Sequence, residues 1–178
     1  MEKPAGFKPA LKFLLIYLVF MLLYGLYRTF PVFPLSIISG TTESNFQHYK
    51  ATFFTFLIVD LIEFLVYRKK VRDLAGFWYP RLLTAVFSPW PVFLLWYIAP
   101  AVYGQFHPVV LEIVYANIMT ILAILCNLTL ERLFLQAAFS RAGKVVVWGL
   151  LLASILIYMV FTFSHLPWAD VFVEPQWR

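Results

Sequence analysis

Apolar residues run along this chain in five long blocks, at about 10–28, 50–67, 81–103, 109–138 and 145–163, and a mixed tail follows at 164–178. Each block is near the roughly 20 residues that a helix needs to cross the hydrocarbon core of a bilayer. Pro31 and Pro34 stop the first block, because proline cannot donate to a helix ladder. Pro89, Pro91 and Pro100 predict that the third is kinked or interrupted. At about 1.5 Å per residue the fourth would be near 45 Å long, so it tilts or protrudes. The pattern predicts an all-α fold: one membrane domain over 1–178, a polytopic bundle of five transmembrane helices. Residues 30–42 read as a loop, 75–80 as a short interfacial stretch, and Thr41 or Thr42 as the cap of the second helix.

Within the blocks, polar residues are confined to stripes. On the second, Asn45, His48, Thr52, Thr55 and Glu63 fall within a sector of about 80° at 100° per residue. On the fourth, Glu112, Ala116, Thr120, Ala123, Asn127 and Glu131 share one face. Small and polar residues on one face mark the side that looks into a bundle. Just before the second block lies a polar island, Ser39 to Lys50.

Composition agrees with the pattern. The chain has 178 residues, 62% hydrophobic and 13% charged, where a soluble domain is about 45–50% apolar and 25% charged. The net charge of +5 is better explained by loop lysines and arginines that set topology than by nucleic-acid binding. The N-terminal arm and the loops at 68–81 and 138–144 hold ten Lys and Arg, and the opposite loops and tail hold three. This bias predicts a cytoplasmic N-terminus and an outside C-terminus. The basic N-terminal arm lacks the short apolar core and cleavage site of a signal peptide and reads as leading into an uncleaved span. A single cysteine, Cys126, rules out an internal disulfide and reads as a small packing residue.

With that orientation, His48, His107, His165, Glu43, Glu112, Asp170 and Glu174 all fall at the outer face. Carboxylate and imidazole groups are the usual ligands of zinc and similar ions and the usual acid–base pair. Glu43 and His48 are therefore the candidate catalytic residues, and Glu43, His48, His165 and Asp170 the candidate ligands of a divalent metal such as zinc. Five residues apart, Glu43 and His48 are about 140° apart on a helix, so they need partners from elsewhere. Arg28 is placed to neutralise outer carboxylates. Thr52, Glu63, Glu112, Asn127 and Glu131 are the candidate ligand-binding residues along the stripes. A carboxylate at bilayer depth is costly unless paired, which makes Glu63, Glu131 and nearby Asp60 either functional or an interhelix clamp, for instance with Arg81, Arg132 or Asn127. No phosphate-binding loop, nucleotide fingerprint, metalloprotease helix motif or Ser-His-Asp arrangement is present.

The segment Thr42-Glu43-Ser44-Asn45-Phe46-Gln47-His48-Tyr49-Lys50 resembles the "NESxWEHxK" segment of a family of uncharacterised small multi-pass prokaryotic membrane proteins. The tail His165-Leu166-Pro167-Trp168-Ala169-Asp170 is similar to that family's closing "HLPxxxD" element. Thr42 and Gln47 depart from the family pattern, and so does the ending at 171–175. The resemblance implies a multi-pass protein of the prokaryotic inner or plasma membrane in which Glu43, His48, His165 and Asp170 belong together. It supplies no activity.

Three functions fit these residues. One is an outward-facing site for a divalent metal or a polar, lipid-like ligand, extending to a metal-assisted membrane hydrolase or transferase. The second is a transporter, or a substrate-capturing subunit of one, with a polar path along the second and fourth blocks. The third is a structural or assembly partner. The expected partners are membrane lipids, with a homo-oligomer or larger membrane complex in view and no nucleic acid.

Overall fold

Proline and serine set many of the helix boundaries. In the computed structural model, which describes residues 6–103, 109–164 and 168–173, helix α1 spans Pro9–Thr29 and takes its proline in the first turn. There the missing N–H costs nothing. A one-and-a-half-turn helix, α2 (Phe33–Ile38), again has a proline, Pro34, in its first turn. Helix α3 (Asn45–Tyr67) follows, then α4 (Leu74–Phe87), α5 (Pro89–Tyr103), α6 (Val109–Phe134) and α7 (Arg141–Phe163). A single 3-10 turn, Asp170–Phe172, closes the described chain. No strand occurs among the described residues.

The break between α4 and α5 has a specific chemical cause. Pro89 and Pro91 remove two backbone donors, which orphans carbonyls one turn earlier. Ser88 compensates: its Oγ donates to the Ala85 carbonyl at 2.8 Å, and its own carbonyl accepts from Asn127 Nδ2 on α6 at 3.0 Å. The third apolar block is thus two helices, and it starts earlier than the sequence pattern predicts. The expected interfacial stretch 75–80 is the first half of α4, with Phe77 and Pro80 buried. The loop expected at 30–42 contains α2. Helix α3 begins at Asn45 behind Ser44, not at Thr41 or Thr42; Thr42 Oγ1 instead donates to Ser44 Oγ at 3.1 Å.

Among the described residues, four helical stretches are long and apolar enough to cross a membrane: Pro9–Thr29, Leu74–Ile98, Val110–Phe134 and Arg141–Phe163. Helix α3 has comparable length but carries Lys50, Asp60 and Glu63. It is also the innermost helix, packed against α1, α4, α5, α2 and the tail turn. Its aromatic residues Phe46, Phe53 and Phe56 anchor a core with Ile16, Leu82, Ile124, Leu151 and Tyr158. Around it the outer faces are apolar, as at Leu14, Leu18 and Leu22 on α1 and Leu152 and Leu156 on α7. Buried charge inside and exposed Leu and Ile outside is the arrangement a lipid solvent selects, and it points to a multi-pass membrane protein. Cys126 is on this outer face, exposed, rather than packed inside.

Candidate functional site

The buried face of α1 is Lys12, Ile16, Phe20 and Leu23, so a lysine occupies the first position of an otherwise apolar stripe. Its ammonium enters the bundle and donates to three carboxylates from two other helices: Asp60 Oδ1 at 2.7 Å, Glu63 Oε2 at 2.9 Å and Glu131 Oε1 at 2.7 Å. Arg81 on α4 completes the group. Its Nε donates to Glu63 Oε2 at 2.8 Å, its Nη1 to the Phe77 carbonyl at 2.9 Å, and its guanidinium lies 3.8 Å from the centre of the Phe77 ring. Four helices are tied together at one point, and all five charged side chains are buried.

The backbone before α1 seals this cluster. The Phe7 N–H donates to Glu63 Oε1 at 2.5 Å, and the Phe7 ring meets the edge of Tyr67 at 5.5 Å. A side chain at Gly6 would put its Cβ 2.8 Å from Glu63 Oε1 and 3.1 Å from Arg81 Nη2, so only glycine permits this close approach. Glu63 is therefore fully satisfied. The other two acids are not: among the described residues, Asp60 Oδ2 and Glu131 Oε2 are buried without a hydrogen-bond partner. Three carboxylates face two cations, a formal excess of one negative charge. Asp60, Glu63 and Glu131 each offer an oxygen within 4.8 Å of the others, a spacing that can hold a metal ion. Lys12 Nζ stands between those three oxygens and supplies the positive charge a metal would bring.

From this cluster a polar seam runs between α3 and α6 toward the other end of the bundle, as the two stripes predict. A small cavity is lined by Thr52, Thr55, Thr120 and Asn127 among the apolar Ile16, Phe20, Phe56 and Val92. A second is lined by Asn45, His48, Trp96, Ala116 and Met119, and shares Phe20, Val92 and Thr120 with the first. Among the described residues, Thr55 Oγ1, Asn127 Oδ1 and Trp96 Nε1 are buried polar atoms without a partner. Together with the two carboxylate oxygens they mark the length of the seam. Helix α3 covers the distance from His48 to Asp60 in about 18 Å.

At the far end, Glu43 pairs with Arg28, as expected of an arginine near outer carboxylates. Arg28 also lies over the Tyr24 ring at 5.5 Å, and Tyr24 packs on His48 at 4.7 Å between ring centres. His48 Nδ1 is 3.1 Å from the Ser44 carbonyl. A carbonyl only accepts, so Nδ1 carries the proton and, in a neutral ring, Nε2 is left as an acceptor. Asp170 reaches the same end through Tyr97: Asn45 Nδ2 donates to Tyr97 Oη at 3.2 Å, and Tyr97 Oη donates to Asp170 Oδ2 at 2.8 Å. Glu43, His48 and Asp170 thus share one end of the bundle, yet among the described residues they do not form a three-ligand cluster. His165, His107 and Glu174 lie outside the described residues. Glu112 is half-buried in the first turn of α6.

The remaining predicted residues lie where the stripes put them. Thr52, Glu63, Asn127 and Glu131 are all buried and inward. Arg81, one of the clamp partners foreseen for Glu63, is its partner, while Arg132 is exposed. Lys12 escapes a charge count because it reads as one more basic residue of the N-terminal arm. The signal that finds it is its register with Ile16, Phe20 and Leu23. Lys50, also counted as a loop charge, is fully buried and donates to the Ser36 carbonyl at 2.7 Å and Thr162 Oγ1 at 3.0 Å. Comparison of the chain with protein-family models, curated proteins and solved structures finds no match in any of the three.

Proposed function

We propose that this protein is a membrane transport component that moves a proton or a small cation along the α3–α6 seam to the Lys12–Asp60–Glu63–Arg81–Glu131 cluster. The observation that carries this reading is the line of buried, unpartnered polar atoms from Trp96 through Thr55 and Asn127 to Asp60 and Glu131. A purely structural clamp would satisfy its polar atoms, because an unmade buried hydrogen bond costs about 1–3 kcal/mol. Beyond the Trp96 N–H, which only donates, the atoms of this line can accept, and the line ends on excess negative charge, which suits a species that brings positive charge with it. In this reading α3 is a fifth, interior crossing, screened from lipid by its neighbours. On the charge bias of the loops, this reading has the cluster toward the cytoplasm and the Glu43–His48 end outside. The test is flux in liposomes containing a pH-sensitive dye. Wild type should dissipate an imposed gradient, and Glu131→Gln or Asp60→Asn should slow it at least ~10-fold, the scale of one lost charged interaction. Wild-type liposomes no leakier than empty ones would overturn the proposal.

A second reading is favoured by the Asn45–Tyr97–Asp170 chain, which brings the tail turn to the same end as Glu43 and His48. Here those residues, with His165, bind a divalent metal or a lipid headgroup, and metal-assisted hydrolysis or transfer is the chemistry such a site would support. The similarity of both segments to one family of multi-pass prokaryotic membrane proteins supports this grouping. Metal content unchanged between wild type, Glu43→Gln and His48→Ala would rule out the metal form.

A further inference from the structure

The end of the bundle that holds the buried cluster also carries cations that the cluster does not use. The link between α3 and α4 presents Arg68, Lys69, Lys70 and Arg72, and Arg141 and Lys144 stand in the first turn of α7. Five of these six are exposed and Lys144 is half-buried. Among the described residues none of the six is in a salt bridge, and the one exposed acid at this end is Asp73. Two of them lie over aromatic rings: Lys70 Nζ is 5.9 Å from the centre of the Tyr67 ring, and Lys144 Nζ is 5.4 Å from that of Tyr79. Trp78 and Tyr79 stand between the two groups of cations. Trp78 packs on Phe64 of α3 at 5.1 Å between ring centres, and Tyr79 on Phe139, just before α7, at 5.9 Å. Beside the cations the surface turns apolar: Leu65 and Val66 before Arg68, and Val145 and Val146 after Lys144, are all exposed. The opposite end is different, since Arg28 is paired with Glu43 and Lys50 is buried.

We infer that this end of the bundle is a docking surface for anionic phospholipid headgroups, seated on the α3–α4 link and the start of α7 on either side of Trp78 and Tyr79. A topology bias accounts for the side of the membrane on which basic residues stand. It does not require that they lack acidic partners. Unpaired cations and half-buried Trp and Tyr at the border of an apolar surface match a ligand with a charged phosphate and an acyl tail. A nucleic acid or a free phosphate would use the charge and have no use for the apolar rim. Near a charged leaflet each basic residue contributes about five-fold to binding, so four on one short link act together. The inference needs only the multi-pass membrane architecture and is independent of the transport reading.

The experiment reconstitutes the full-length chain into vesicles of equal parts phosphatidylglycerol and phosphatidylcholine, re-extracts it in mild detergent and counts the retained phospholipids by mass spectrometry. Wild type should retain phosphatidylglycerol at least ~10-fold over phosphatidylcholine, and the ratio should fall as salt is raised. Arg68→Gln, Lys69→Gln, Lys70→Gln and Arg72→Gln combined should lower it at least ~5-fold at an unchanged melting temperature, because exposed substitutions barely move stability. Arg141→Gln with Lys144→Gln should give an intermediate ratio, and carries the test if the first variant does not fold. Lys69→Arg with Lys70→Arg, which keeps the charge, should retain the wild-type ratio. Equal retention of the two lipids by wild type overturns the inference, and so do charge-removing variants that keep the wild-type ratio. Displacement of the retained lipid by glycerol phosphate, beyond that by sodium chloride of the same ionic strength, also overturns it, because a phosphate without a tail would then suffice.

Discussion

Two ion-paired sites cap the same pair of helices and could hardly differ more. Lys12 near the start of α1 meets Asp60 and Glu63 near the end of α3; Arg28 at the end of α1 meets Glu43 just before α3 begins. The Lys12 side chain is 4% exposed and that of Arg28 is 44% exposed. Pairing in the dry interior is compulsory, since the idealised cost of an isolated charge there is of order 20 kcal/mol. Pairing at the exposed rim is optional and contributes about 0–1 kcal/mol. Chemically similar contacts therefore have different jobs: the first fixes which helices meet, the second only trims an edge that water can also satisfy.

The sharpest way to break this contrast is Lys12→Met. It leaves three buried carboxylates with one cation and should lower stability by about 3–5 kcal/mol, read as a fall in unfolding midpoint in detergent. Adding Asp60→Asn to that chain should recover part of the loss by returning the excess negative charge from two to the wild-type one. A Lys12→Met protein as stable as wild type would mean the cluster is wetter than its burial implies. An intermediate effect is expected for Tyr97→Phe, which cuts the link from Asn45 to Asp170. It should cost about 1 kcal/mol and raise hydrogen exchange in the tail turn 170–172 while α1 and α6 keep their protection. The smallest effect belongs to Arg28→Ala or Glu43→Gln, at most about 1 kcal/mol and shrinking as salt is added. A larger, salt-insensitive loss would show that the rim is as closed as the interior.

The two ends also differ in how far they could be read in advance. The stripe on α6 survives as drawn, because helix periodicity alone decides which face holds Asn127 and Glu131. The Arg81–Glu63 pair was foreseeable, since a deep acid needs the nearest cation. Lys12 was not, because a basic residue near an N-terminus serves topology just as well, and only its register with Ile16 separates the two uses. At the other end, Asp170 reaches Asn45 through Tyr97 on α5, a meeting of three distant segments that no local spacing encodes. The α4–α5 break was predicted from its prolines, but its repair by Ser88 and Asn127 depends on a helix nearly 40 residues away.

The cluster has a history as well as a geometry. Lys12 and Glu131 are separated by 119 positions, so the contact between them waits until α6 has been made. Before α6 is made, Lys12, Arg81, Asp60 and Glu63 are two cations and two anions, a neutral quartet that can settle among α1, α3 and α4 on its own. At ribosomal speeds of about 5–20 residues per second, Glu131 follows Arg81 by roughly 2–10 s. The last acid to arrive is the one that tips the balance negative. Biogenesis and electrostatics are thus ordered in time: the nascent half-bundle assembles electrically quiet, and the arrival of α6 arms it.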